Sequence, residues 1–385
     1  MNKITRNPST SEPLPEHGRA TDAAVQHQTV LVLQGGGALG AYQAGVYQAL
    51  CEGGIEPDWV IGTSIGAINA ALIAGNRRED RLPRLQEFWD GVSRSSPFDE
   101  FFRMMVPSNI FANMGTVMCG IPGFFEPNPS AMFGVNREVG VENASYYTTD
   151  PLKRTLCNLV DFDYLNAHHT RLTVGAVNVN TSELKYFDTR DMTLSAAHIM
   201  ASGALPPAFP AVCIDGEPYW DGGIYSNTPI EVVLDARPRR DALIFAVNMW
   251  QPRATEPKSI WQVMGRQKDL QYASRGRSHV ARQEQLHRLR HVVREMGRLV
   301  PEERRDDPMF KELASYGCRS VMHLVRLLSP RLDGEDHTKD IDFTRAGIRT
   351  RWQAGYEHGK RVLTEKPWEC EVDMLQGIVI HESQE

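Results

Sequence analysis

Residues 29–45 read TVLVLQGGGALGAYQAG, and the reading of that stretch decides the fold. Thr29 to Leu33 is a short apolar and β-branched run, the form taken by a strand buried on both faces of a parallel sheet. Glycines follow at once. Ala41 to Leu50 then supplies helix formers, with Val46 and Leu50 four apart, before Gly53 and Gly54 end the run. A second unit repeats the order, since Trp59-Val60-Ile61 leads through Gly62 and Ser64 into the alanine-rich segment Ala67 to Ala74. This alternation predicts an α/β fold with parallel strands, right-handed crossovers and a functional site at the carboxyl ends of the strands.

Farther along, Leu172 to Val179 and Glu183 to Phe187 read as strands joined at Asn180-Thr181-Ser182. Ala242 to Met249 reads as one more buried strand, and Ala211 to Trp220 as a hairpin turning at Asp215-Gly216. Beyond Gln251 the alternation stops. Leu286, Leu289, Val293, Met296 and Val300 stand at helical spacing, and Val321 to Leu328 reads as a further helix. The expected organisation is a flexible tail over 1–28, an α/β domain over 29–251, and a mainly helical extension over 252–385.

The chain has 385 residues, 41% of them hydrophobic and 23% charged, an ordinary globular mixture that excludes fibrous and disordered classes. With 42 Lys and Arg against 48 Asp and Glu, the net charge of -6 offers no general attraction for nucleic acid. The six cysteines lie far apart and form no CxxC, which suits reduced thiols in a cytoplasm. The first residues lack the apolar run of a secretory signal, and the longest mostly apolar segment, Ala67 to Gly75, is too short to cross a bilayer. A cytoplasmic location is expected, with any membrane contact peripheral and at the inner face.

Three kinds of chemistry compete for the glycines. Gly35, Gly37 and Gly40 satisfy GxGxxG, but a dinucleotide site needs an acid at the end of the second strand, where this chain has Thr63 and Ser64. Glu56 and Asp58 lie before that strand, at its wrong end. A phosphate loop needs Lys and then Ser or Thr after Gly40, and finds Ala41 and Tyr42. Ester chemistry keeps its requirements. Gly62-Thr63-Ser64-Ile65-Gly66 is a GxSxG between an apolar strand and a helix, the context of a nucleophile elbow, where a plain strand-to-helix turn is the structural alternative. Two consecutive crossings bring the glycine amides and the Ser64 hydroxyl to one sheet edge. None of the twelve histidines, among them His168, His169, His198, His287, His291 and His358, stands where a catalytic triad would place one.

In order, GGGALG, GTSIG and the Asp221-Gly222-Gly223 of YWDGG are the motifs by which the chain resembles patatin-like phospholipases, over Thr29 to Met249. KDLQYASR and DFTRAGIRTRWQAGY resemble a C-terminal region attached to some bacterial members. The resemblance implies a three-layer α/β/α sandwich around a mostly parallel sheet. It also implies a hydrolase of fatty-acyl esters of phospholipids or lysophospholipids that uses neither metal nor cofactor. Ser64 would be the nucleophile, Asp221 would accept its proton, and the amides of Gly35, Gly36 and Gly37 would hold the oxyanion. Burial beside Trp220 and Ser64 is expected to ease proton acceptance by Asp221. One departure is Leu39, where many relatives carry Arg or Lys. The rival readings are a noncatalytic lipid-binding or scaffold protein and a nucleotide-binding oxidoreductase.

Two regions stay open at this level. Residues 111–133, FANMGTVMCGIPGFFEPNPSAMF, read equally as an apolar lid over the site or as a covering loop whose Phe124 and Phe125 pack into the core. In the extension, Arg288, Arg290, Arg294 and Arg298 read as a solvated helix face or as a surface for anionic lipid. Packing against the α/β domain and homo-oligomer formation would each account for the extension.

Overall fold

The computed structural model describes residues 27–93, 116, 118–134, 136–332 and 335–383. The chain opens with β1 (Gln28–Leu33), α1 (Ala41–Glu52), β2 (Trp59–Gly62), α2 (Ile65–Ala74) and α3 (Arg78–Gly91). A two-stranded pair, β3 (Glu126–Pro127) with β4 (Tyr147–Thr148), precedes α4 (Asp150–Leu159), β5 (Arg171–Asn178) and β6 (Leu184–Asp188). Then come α5 (Ala196–Ser202), β7 (Val212–Ile214), β8 (Glu217–Asp221) and β9 (Ala242–Asn248). The C-terminal part contributes α6 (Ile260–Arg298), α7 (Pro308–Ser315), β10 (Met322–Leu328), α8 (Arg345–Glu365) and β11 (Ile378–Glu382).

The main sheet runs β11-β10-β9-β1-β2-β5-β8-β7, with β6 also paired to β5. Every pairing from β11 to β5 is parallel, and β6, β7 and β8 join antiparallel. Side chains of β1 alternate between two hydrophobic clusters, which is what a strand with both faces covered requires. Leu31 and Leu33 pack with α1, α2 and Phe245, while Val30 and Val32 pack with Ile244, Leu324 and Val280 of α6. Helices therefore cover both faces of a mostly parallel sheet, as the sequence motifs imply.

Val321 to Leu328 corrects the reading of a helix there: it is strand β10, lying parallel between β9 and β11. Short apolar runs such as MHLVRLL satisfy either period, and here Leu324, Val325 and Leu327 are buried because both neighbours and both faces are occupied. The region beyond residue 252 is mainly helical and also extends the same sheet by two strands. It is further locked to the first half by α8, which lies against α1. A Cβ at Gly45 would come within 1.9 Å of the Trp352 carbonyl oxygen, and one at Gly355 within 2.0 Å of that of Tyr42. Around this close crossing, Tyr42 Oη contacts His358 Nδ1 at 2.6 Å, and the Trp352 indole donates to Gln48 at 2.7 Å.

The register of β5 positions the site. Gly62 of β2 pairs with Val174, and Asp221 of β8 pairs with Ala176, two residues farther along the same strand. Ser64 stands two residues past Gly62, so serine and aspartate arrive at one level from two chain segments far apart in sequence.

Candidate active site

Ser64 occupies the sharp turn between β2 and α2 with φ 57° and ψ -127°, a conformation that an L-residue adopts at a cost of about 1–3 kcal/mol. The surroundings hold it there. Its amide donates to the Ser202 carbonyl at 3.1 Å and to the Ser202 hydroxyl at 3.2 Å, so Ser202 of α5 holds the turn in place. The turn passes so close to β1 that a Cβ at Gly66 would lie 2.2 Å from the Leu33 carbonyl oxygen, which explains the glycine after the serine.

Asp221 ends β8 and is only 2% exposed. Its carboxylate accepts the Gly223 amide at 2.7 Å, and the neighbouring Ser64 hydroxyl favours its ionised form. Burial is the larger influence and raises its pKa from 3.8 to about 7, against the opposing pull of those two groups. An ordinary carboxylate is a weak base near neutrality, and a rise of this kind moves the group toward the range in which a carboxyl is an effective base.

The glycine loop needs one correction. The Gly35 amide already donates to the Asn227 carbonyl at 3.1 Å, so it is not free to hold an oxyanion. The Gly35 carbonyl in turn accepts from Asn227 Nδ2 at 3.0 Å and from the Trp250 indole at 2.7 Å. Gly35 is thus the anchor of the loop. Gly36 and Gly37 follow, and their amides have no acceptor among the described residues, nor does that of Ile65 at the start of α2. The loop's path requires glycine at 37, where φ is 55° and a Cβ would lie 2.2 Å from the Asp340 carbonyl oxygen.

These groups stand at one end of a cavity of about 300 Å³. Ser64, Asp221 and the glycine loop form the polar end, and Ile68, Phe124, Phe125, Leu152, Phe209 and Phe343 are prominent in the apolar remainder. Phe124 and Phe125 are buried, as in the covering-loop reading, while residues 111–115 and 117 of the suspected lid lie outside the described residues. No histidine lines the cavity among the described residues. His198 is instead part of a capping box that starts α5. Leu39 is buried in the core and brings no charge to the loop.

Several lining groups were given no role from sequence: Asn227, Trp250 and Asp340 lie in no quoted motif, and Tyr272 and Phe343 lie in the two C-terminal stretches whose resemblance assigned them none. Their contributions come from tertiary position. Away from the cavity, His323, Cys370 and His381 bring potential metal-ligand atoms within 4.8 Å of one another at the β10–β11 edge. His323 Nδ1 and His381 Nε2 are 3.0 Å apart, a distance that an imidazole–imidazole hydrogen bond explains.

Residues 31–234 match the family model described as patatin-like phospholipase, and residues 270–375 match one described as patatin phospholipase. A curated relative, an uncharacterised NTE family protein of Mycobacterium tuberculosis, is 35% identical over 115 residues, which is 28% of this chain and 19% of the relative. The lysophospholipase nte1 of Aspergillus terreus is 26% identical over 200 residues, 52% of this chain and 10% of that protein. The chain thus spans a fifth or less of the length of these relatives. Among solved structures, VipD from Legionella pneumophila aligns at 15% identity and a TM-score of 0.37, covering 88% of this chain and 67% of VipD. No helix among the described residues is long and apolar enough to cross a membrane.

Proposed function

The chain belongs to the patatin-like phospholipase family, and from that premise we propose that it hydrolyses fatty-acyl esters of phospholipids or lysophospholipids by a Ser64–Asp221 dyad. The observation that carries the reading is the meeting of Ser64, on a strained backbone turn, with the buried Asp221 in the lining of one cavity, where burial raises the carboxyl pKa. Ser64 Oγ attacks the ester carbonyl carbon as Asp221 takes its proton. Negative charge on the former carbonyl oxygen is met by the Gly36 and Gly37 amides, with the Ile65 amide at the helix N-terminus as a further donor. Collapse breaks the bond to the alcohol, which leaves with the proton from Asp221, and an acyl-Ser64 ester remains. Water then attacks that ester, giving its proton to Asp221, and release of the fatty acid returns the proton to Ser64.

The lipid class is supported by the apolar body of the cavity and by the family. Binding without turnover is the rival outcome. Fluorophosphonate labelling with peptide mapping, followed by a panel of phospholipids, lysophospholipids and p-nitrophenyl esters, separates the two. The label is expected on Ser64, with loss of labelling and hydrolysis in Ser64→Ala. Unlabelled Ser64 in folded protein that binds lipid without cleaving it would establish the binding reading instead.

A further inference from the structure

The C-terminal region supplies Phe343 to the cavity, and resting on the hydrolase reading above, we propose that Phe343 sets the acyl-chain length the site accepts. Phe343 is 2% exposed and stands at the cavity wall with its ring 5.7 Å from that of Phe124. On another side it stacks nearly parallel to Trp89, at 6.4 Å and 16°. Trp89 is buried and fixed by its indole donating to Asn69 at 3.0 Å, and it is not among the lining residues. A smaller side chain at 343 therefore lengthens the apolar space toward Trp89, and a larger one shortens it.

Such a gauge must not yield when a chain presses on it, and the segment carrying Phe343 is fastened on three sides. Asp340 accepts from Lys268 of α6 at 2.7 and 2.9 Å, and Lys339 donates to Asp269 of the same helix at 2.9 Å. Asp342 and Glu335 both pair with Arg351 of α8, at 3.3 and 3.4 Å. The Asp340 carbonyl closes against Gly37, leaving no room for a Cβ on the glycine. Next to Phe343, the Thr344 hydroxyl caps α8 by accepting from the Gly347 amide at 3.1 Å. These ties run to separate elements, so the wall keeps its place and chain length is read by fit.

The test compares wild type with Phe343→Ala, Phe343→Leu and Phe343→Trp on p-nitrophenyl esters from butyrate to palmitate. Each methylene newly admitted to the apolar space is expected to raise kcat/KM by about fourfold. The optimum should move to longer chains in the order Leu, then Ala, and to shorter chains for Trp. Equal changes at every length in variants with wild-type circular dichroism overturn the proposal, and Phe343→Leu keeps the comparison decisive if Phe343→Ala folds poorly. The same substitutions in a Ser64→Ala background are scored by displacement of a fluorescent fatty acid with acids of the same lengths. A shifted length preference there, with no hydrolysis by wild type, would sink the hydrolase reading and leave the gauge standing. Hydrolysis with no shift in either assay would sink the gauge alone.

Discussion

The polar and apolar ends of the cavity are built in opposite ways. Ser64, Gly36, Gly37 and Asp221 come from three short motifs at strand ends, each of which needs a particular backbone conformation or close approach. The apolar end draws Ile68 from α2, Leu152 from α4, Phe124, Phe125 and Phe209 from connecting segments, and Phe343 from beyond residue 340. Acyl transfer depends on direction, because a donor displaced by an ångström no longer meets the developing charge. Chain binding depends on volume and area, which many apolar residues supply equally well. The first end is therefore written as motifs, and the second is assembled by the fold.

If this division of labour holds, changes at the polar end lower turnover for every chain length alike. Ser64→Ala has the largest expected effect, a loss of kcat on the order of 10⁵-fold that is the same for butyrate and palmitate esters. A loss confined to some chain lengths would break the comparison at its base. Asp221→Asn comes next, with a fall of about 10³-fold from the missing base. In wild type, kcat/KM should drop roughly tenfold per pH unit below about 7, because proton acceptance needs the ionised carboxylate. A profile that stays flat down to pH 5 would remove Asp221 as base.

Gly37→Ala sharpens the boundary between the two ends, since the residue abuts the backbone of Asp340, three residues before Phe343. The new Cβ meets the Asp340 carbonyl and must adopt a positive φ, so the loop shifts and one oxyanion donor moves away. Kinetics on esters of two lengths should show kcat down by about 10²-fold with the length preference kept. An altered length preference with kcat maintained would mean that Asp340 and Phe343 moved in place of the loop. The two ends would then be one mechanical unit.

The same contrast governs what sequence could disclose. β1, β2, β5, β9 and the β7–β8 hairpin were legible from apolar runs punctuated by turn residues, and Ser64 and Asp221 from motif context together with resemblance. β10 was not, because its seven residues satisfy both periods and only the neighbours β9 and β11 select the strand. Gly35 reads as a donor in sequence, yet its amide is consumed by Asn227, a contact 192 residues away along the chain. The covering of the site by Lys339–Phe343 left no signal beyond the resemblance of DFTRAGIRTRWQAGY to a C-terminal region of unassigned role. Its place depends on ion pairs to α6 and α8, and an ion pair between distant segments has no fixed spacing.

The smallest predicted effect separates the two ends through stability. Asp221 has its folded pKa raised from 3.8 to about 7, so the native state binds its proton more tightly than the unfolded chain does. That contribution is present in full below the unfolded value and is lost as pH rises through the folded one. Above pH 7 the native state carries the burden of a buried carboxylate, at most about 4 kcal/mol from the 1.36 kcal/mol equivalent to each pKa unit. Asparagine keeps an acceptor for the Gly223 amide and bears no charge. Asp221→Asn should therefore melt a few degrees above wild type at pH 8, with the gap narrowing as pH falls toward 5, as measured by scanning calorimetry at both. Phe343→Ala removes packing and no titratable group, so its loss in Tm should be nearly the same at the two pH values. If Asp221→Asn shows no advantage at pH 8, the carboxylate is not held in a desolvating site, and the proposal that Asp221 serves as a base near neutrality loses its support.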